Sequence, residues 1–347
     1  MKPTFAEPLP TVASGSSLVY PPTLCAGLPR GPSWNLTTTD FDHSFPQRRR
    51  LPVRRLRSDP PPPAPLPTPE PHGALPSVSA AVLVADLMTA AAAQRALLLL
   101  AAEYAGPFHL ERSSSAASSV DSGPDSDDLI VPAGAEYVCG PLEETKEALL
   151  HTAPPFDLIV LDPPWPNRSV RRRQRHQDRY ATPRTLSAVR QLLLQVPVAA
   201  RLAPDGLVAV WVTNKPAAYC LLTSPTGVFA AWGLELAAEW TWLKIAASGE
   251  PLYDLDSTWR KPWERLLIAK PRRGCVPRSL TAKVIVAAPD VHSRKPSLRT
   301  LFREVLERDY IGLEVFARNL TAGWWSWGDE VVKFQQPHCW LPVSQRD

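Results

Sequence analysis

From about residue 130 the chain becomes a series of short, nearly all-apolar runs separated by helical or polar stretches, and this alternation limits the fold more than any other feature. The runs predict strands at Glu136–Cys139, Asp157–Leu161, Leu207–Val212, Ala238–Ile245, Arg265–Ala269, Lys283–Ala287 and Leu313–Ala317. Helices are predicted at Arg184–Gln195, after the start signal Thr182-Pro183, and at Ser297–Arg308. A segment such as Phe156-Asp157-Leu158-Ile159-Val160-Leu161 is apolar on both sides of the pleat, so it suits a strand buried on two faces. Interleaved with helices, such strands predict an α/β fold, a Rossmann-like sheet with helices on both faces. Ligands in such sheets bind beyond the strand carboxyl ends.

The upstream part reads differently. Of 40 prolines, 18 fall in residues 1–80, so residues 1–75 are expected to form a disordered proline-rich and basic arm. It holds a polyproline stretch from Pro60 and the cluster Arg48, Arg49, Arg50, Arg54, Arg55 and Arg57. Such a cluster serves as a nuclear-import signal, a phosphate-binding tail or a solvated linker charge, and composition leaves all three open. Residues 76–129 are expected to combine a helical segment, Ser77–Ala105, with a serine- and aspartate-rich surface insertion at Ser113–Asp128. Residues 130–347 then form the main domain.

Composition excludes several classes. Five scattered cysteines without CxxC spacing argue against a disulfide framework and a zinc site, so no metal is expected, and they point to a reducing compartment. The most apolar stretch, Ala80–Ala102, is interrupted by Asp86, Gln94 and Arg95, so no membrane span is expected. The first 30 residues lack a basic start followed by an apolar core, which argues against secretion. A net charge of +4 is too small to name a partner.

Asp162-Pro163-Pro164-Trp165 follows the buried run directly. Two prolines fix φ and offer carbonyls without N–H donors, which makes the turn stiff and acceptor-lined. A carboxylate and a carbonyl can hold both N–H bonds of a flat amine, and an indole supplies a stacking face worth about 1 to 3 kcal/mol for a base. The exocyclic amine of a base is a weak nucleophile whose lone pair must be aimed, and it loses its proton readily once alkylated. Positioning rather than acid–base chemistry would then carry the rate. The plainer alternative, a strand-ending turn with a core tryptophan, stays open on these four residues alone. No glycine-rich GxGxG turn marks a cofactor.

Downstream of about residue 130 the chain resembles the MT-A70 family of N6-adenine methyltransferases, most closely its methyltransferase-like-four branch. The resemblance rests on IVPAGAEYVCG (130–140), FDLIVLDPPWPNRSV (156–170), WVTNK (211–215), AEWTWLK (238–244), KPWE (261–264), HSRKP (292–296) and LEVFARNLTAGWWSWGDEV (313–331). It implies S-adenosylmethionine as methyl donor. Asp162, Pro163, Pro164 and Trp165 would form the catalytic turn, and Asp162 would also meet the donor's amino group. Lys295 would pair with the donor's carboxylate, while Arg318, Asn319, Asp329 and Glu330 would hold the ribose, with Cys139 and Gly140 beside the donor's adenine. Trp242 and Glu264 would lie near the target base, Trp242 being equally readable as core and Glu264 as an exposed edge charge.

Two departures stand out: Gly140-Pro141 where relatives place an acidic residue, and Asp329 where an asparagine is usual. Trp324, Trp325 and Trp327 read as structural. Asn167, Arg168, Arg171, Arg172, Arg173, Arg175, Arg179 and Tyr180 follow the motif and would meet phosphates flanking an extruded base; a charge run is otherwise a solvated face. The resemblance implies methylation of an adenosine in RNA, specifically small nuclear RNA, with DNA second, a nuclear or else cytoplasmic protein, and no obligate protein partner. A silent RNA-binding subunit is the rival of another class, and the intact motif argues against it.

Overall fold

The computed structural model describes residues 17–19, 53–68, 79–109, 112–120, 129–166, 183, 185–257, 260–291 and 294–343. Strands β1 (Ser17–Val19), β5 (Glu136–Cys139), β6 (Phe156–Leu161), β7 (Leu202–Val212), β8 (Leu234–Lys244), β9 (Trp263–Pro271), β10 (Lys283–Ala287), β11 (Gly312–Val315) and β12 (Trp324–Gly328) form one sheet, in the order β1-β10-β8-β9-β7-β6-β11-β12-β5. All its neighbours pair parallel except those of β9, which runs against β7 and β8. The start of β9 therefore lies at the edge where the other strands end. A second, antiparallel sheet, in the order β13-β2-β3-β4, joins β2 (Val53–Leu56), β3 (Arg112–Val120), β4 (Leu129–Pro132) and β13 (Trp340–Pro342).

The pleat explains the apolar runs. Ile159 and Leu161 of β6 face a core shared with α2 (Leu142–Thr152), α3 (Leu186–Gln195), α5 (Pro216–Thr223) and α6 (Val228–Ala231); a short α4 (Val198–Arg201) leads into β7. Leu158 and Val160, one residue out of phase, face the other core, closed by α7 (Arg299–Leu306) through Leu301, Phe302 and Val305. The expected two-faced α/β sheet is thus present. The indoles act as expected: Trp324 and Trp327 are buried in the sheet, and Trp327 Nε1 donates to Thr145 Oγ1 at 2.8 Å.

Helix α1 (Ala80–Glu103) starts where Ser79 caps it, its hydroxyl accepting from Val82 N at 3.4 Å. Ala93, Ala96 and Leu100 pack on Leu243, Ile245, Val284 and Val286 at the β8–β10 end of the sheet. By length and composition α1 could cross a membrane; Ala93, Ala96 and Leu100 are buried on the sheet, Leu83, Leu87 and Met88 are exposed, and Asp86 pairs with Lys261 and Arg265.

Two expectations are corrected. Within the arm expected to be disordered, β1 pairs with β10, and residues 53–68 belong to the fold: Arg54 and Arg55 sit in β2, and Pro62 O and Leu66 N bond to Ala247 N and Leu252 O at 2.8 and 2.9 Å. Strand pairing and carbonyl acceptance need no side-chain pattern, so proline content did not forbid them. In the expected surface insertion, residues 112–120 form β3, whose main chain pairs on both sides.

Candidate active site

Asp162 is the first residue past β6, and its N–H still reaches Val315 O of β11 at 3.4 Å. Pro163 follows without a donor, and its carbonyl accepts from Trp165 N at 2.8 Å, which closes the turn tightly. The Trp165 indole donates to Trp211 O at the end of β7 at 2.7 Å, and the ammonium of Lys215 reaches Pro166 O. The turn is therefore tied to two neighbouring strands. It is a stiff platform rather than a loose connection.

Both oxygens of Asp162 meet cations. Lys295 Nζ lies 3.3 Å from Oδ1 and Arg318 Nη2 3.3 Å from Oδ2. Lys295 also stands 3.0 Å from Glu264 Oε2, and the other oxygen of Glu264 binds Lys244. Three cations and two carboxylates thus interlock at this edge. Its floor is aromatic: Lys295 Nζ lies 5.9 Å from the rings of both Trp211 and Trp242, and Lys244 Nζ lies 4.8 Å from Trp242.

Burial alone would pull the Lys295 ammonium down, but Asp162 and Glu264 outweigh it and hold its pKa above the ordinary 10.5. Burial alone would raise Glu264, but Lys244 and Lys295 outweigh it and hold its carboxyl below the ordinary 4.5. The antiparallel β9 makes this possible by setting Glu264 opposite Trp242 of β8, two residues from Lys244.

A second group lies along the same edge at β5 and β12. Gly140 N donates to Gly328 O at 3.1 Å, and Cys139 Sγ lies 3.9 Å from Asp329 O. Asp329 and Glu330 are exposed; Glu330 bonds Lys333 at 2.6 Å. Partial cover by the surrounding chain, then Glu330 and Glu144, push the Asp329 carboxyl up. Asn319, 9% exposed, lines a cavity with Lys295, Ser297, Glu314, Thr321 and Trp324.

The structure thus joins Asp162, Lys295, Arg318 and Glu264 directly. It sets Arg318 on the Asp162 carboxylate, a contact the sequence did not foresee. Glu264 is no exposed edge charge. Trp242 is 1% exposed with its Nε1 donating to Ala287 O at 2.9 Å, so it is a core ring underlying the cations rather than an open wall. Asn167, Arg168, Arg171, Arg172, Arg173 and Tyr180 lie outside the described residues. Lys244 and Trp211 were missed. Their signal was weak, a cation closing an apolar strand and an indole before a polar turn.

Residues 156–330, half of the chain, match the family MT-A70. The chain belongs to the MT-A70 family. This MT-A70 protein is 54% identical over 258 residues to the N6-methyladenosine RNA methyltransferase MTA1 of Cryphonectria parasitica, across 74% of each chain. It is 36% identical over 200 residues to the mouse N(6)-adenine-specific methyltransferase METTL4, across 54% of this chain and 40% of that protein. To the DNA N6-methyl methyltransferase of Caenorhabditis elegans it is 35% identical over 188 residues, across 53% and 47%.

Within this MT-A70 fold the local backbone selects glycine at position 140. Gly140 has φ +138°, and a Cβ there would stand 2.8 Å from Thr145 Cγ2, so an acidic side chain at this place requires a different local backbone.

Proposed function

We propose that this chain transfers a methyl group from S-adenosylmethionine to N6 of adenine in a polynucleotide, with RNA as its substrate. The observation that carries the reading is the carboxylate of Asp162, held at the sheet edge between Lys295 and Arg318 on a turn stiffened by two prolines. The donor fits the residues present: a zwitterionic methionine group matches the adjacent carboxylate and ammonium of Asp162 and Lys295, and buried Asn319 lines the cavity beside them. Asp329 and Glu330 would accept bonds from ribose hydroxyls. When bound, the donor supplies a methyl group activated by sulfonium.

The remaining chemistry belongs to the chain. A carboxylate offers about four lone-pair sites, so Asp162 can accept an N–H of the amine while both its oxygens face cations. The Pro164 carbonyl is the second acceptor of the turn, since that of Pro163 already accepts from Trp165 N. Holding the N–H bonds aims the nitrogen lone pair, and the carboxylate favours the positive charge that develops on it. Trp165, tied through Nε1, presents its ring as a stacking face.

RNA is preferred because the relative sharing 54% identity is named an RNA methyltransferase. DNA is the second reading, supported by the name of the nematode relative. Small nuclear RNA as the target and the nucleus as the compartment rest on the branch resemblance alone. The test is labelled methyl transfer to matched RNA and DNA oligonucleotides, one carrying a small nuclear RNA sequence. Asp162→Ala is expected to lower the rate by about 10²- to 10³-fold. No transfer to any oligonucleotide would sink the enzymatic reading, and full activity of the variant would sink the site.

A further inference from the structure

The residue preceding Lys295 is an arginine with 1% of its side chain exposed. Its Nη2 lies 2.9 Å from Asp290 Oδ2 and donates to the main-chain oxygen of Arg57 at 2.8 Å and to Ser58 Oγ at 3.4 Å. Its Nε and Nη1 find no hydrogen-bond partner among the described residues, so the polar anchoring of Arg294 runs through Nη2. The Phe334 ring lies 4.8 Å from its Cζ. Ser58 Oγ donates to Asp290 Oδ2 at 3.2 Å, which closes a small ring of contacts.

Two of these partners, Arg57 and Ser58, belong to the proline-rich arm. Upstream, Leu56 is buried with Ile130, Phe334 and Trp340, and Arg57 N donates to Cys339 O at 2.7 Å. Downstream, Pro62 O and Leu66 N bond the loop between β8 and β9 at Ala247 and Leu252. Leu252 N in turn donates to Lys244 O at 2.8 Å. Residues 53–68 therefore cross the two loops that support Lys295 and the Lys244–Glu264 pair.

We propose that residues 53–68 are a strap across the loops that support the active site, and that Arg294 is a positioning residue that acts through Lys295. Residues 294–298 lack regular secondary structure, so the loop depends on side-chain anchors to keep the Lys295 ammonium within 3.3 Å of both carboxylates. A buried guanidinium bonded to a carboxylate and a carbonyl is such an anchor, because releasing it strands Asp290 without its charge partner. The inference rests on the reading of Lys295 as partner of the donor's carboxylate.

The experiment is a double-mutant cycle on the full chain, read by calorimetric binding of S-adenosylhomocysteine, which carries the same carboxylate. Arg294→Met is expected to weaken binding roughly tenfold, and to add less than about twofold once Lys295→Met is present. Arg294→Lys, which keeps the charge but not the fork, should recover only part of the loss. Amide exchange at Arg57 and Leu66 should rise in Arg294→Met and stay unchanged in Lys295→Met. Equal losses from Arg294→Met in both backgrounds would overturn the positioning role. Unchanged affinity in Lys295→Met would overturn the reading of Lys295 and the inference with it, a result distinct from additivity. If Arg294→Met does not fold, Ser58→Ala replaces it in the cycle under the same criterion.

Discussion

At Glu264 the competition between burial and charge is decided by two lysines, and this has a consequence in pH. Its depressed pKa means that its contribution to stability is present above the unfolded value of 4.5 and is lost as pH falls through the lower folded value. Lys295 has the opposite sign: its contribution is present below 10.5 and is lost only as pH rises through the raised folded value. Glu264→Gln should therefore cost about 2 kcal/mol at neutral pH, with the gap in melting temperature closing below pH 4.5. A gap that persists unchanged into strong acid would show that Gln loses packing rather than charge. The same shifts predict that neither group shapes the pH–rate profile near neutrality; an inflection there that vanishes in Glu264→Gln would contradict the assignment.

Among the elements, the paired ends of the parallel strands β11 and β12 limit the site most tightly. Phe316 has φ 62°, a conformation costly for an aromatic residue, and its N–H donates to Trp327 O at 2.8 Å. This kink ends β11 after Val315, two residues short of the expected strand, and precedes the turn from which Arg318 reaches Asp162. Gly328, at φ +146°, leaves room for it, since a Cβ there would stand 3.2 Å from Phe316 Cα. Gly328→Ala is expected to destabilise the fold by about 1 to 3 kcal/mol and to weaken donor binding. Unfolding in denaturant and a donor titration measure the two effects separately, and wild-type values in both would mean that the kink is unimportant.

For the whole molecule, a polynucleotide must approach an edge whose described charges are largely paired. The arginines following the Asp162–Trp165 turn, Arg171, Arg172 and Arg173, are the candidates for phosphate contact. Reversing all three to Glu should weaken RNA binding and flatten its salt dependence by about 0.7 per lost contact on single strands, leaving S-adenosylhomocysteine affinity unchanged. Parallel loss of both affinities, followed by titration at several salt concentrations, would identify the segment as structural.

Much of this was legible locally. The two-faced burial of Phe156–Leu161, the stiffness of Pro163-Pro164 and the helix within Ser77–Ala105 follow from pleat period, fixed φ and helix propensity, each depending on residues close in the chain. The acceptor role expected of Asp162 came from its motif and the role of Lys295 from resemblance, and their contact required the fold. Only the tertiary structure set Glu264 against Lys244, moved Arg318 onto Asp162, sank Trp242 into the core and laid residues 53–68 over Arg294. These depend on strand order, on the reversed β9 and on main-chain pairing of a proline-rich segment. Such features arise from packing across the whole chain, and no short-range periodicity encodes them.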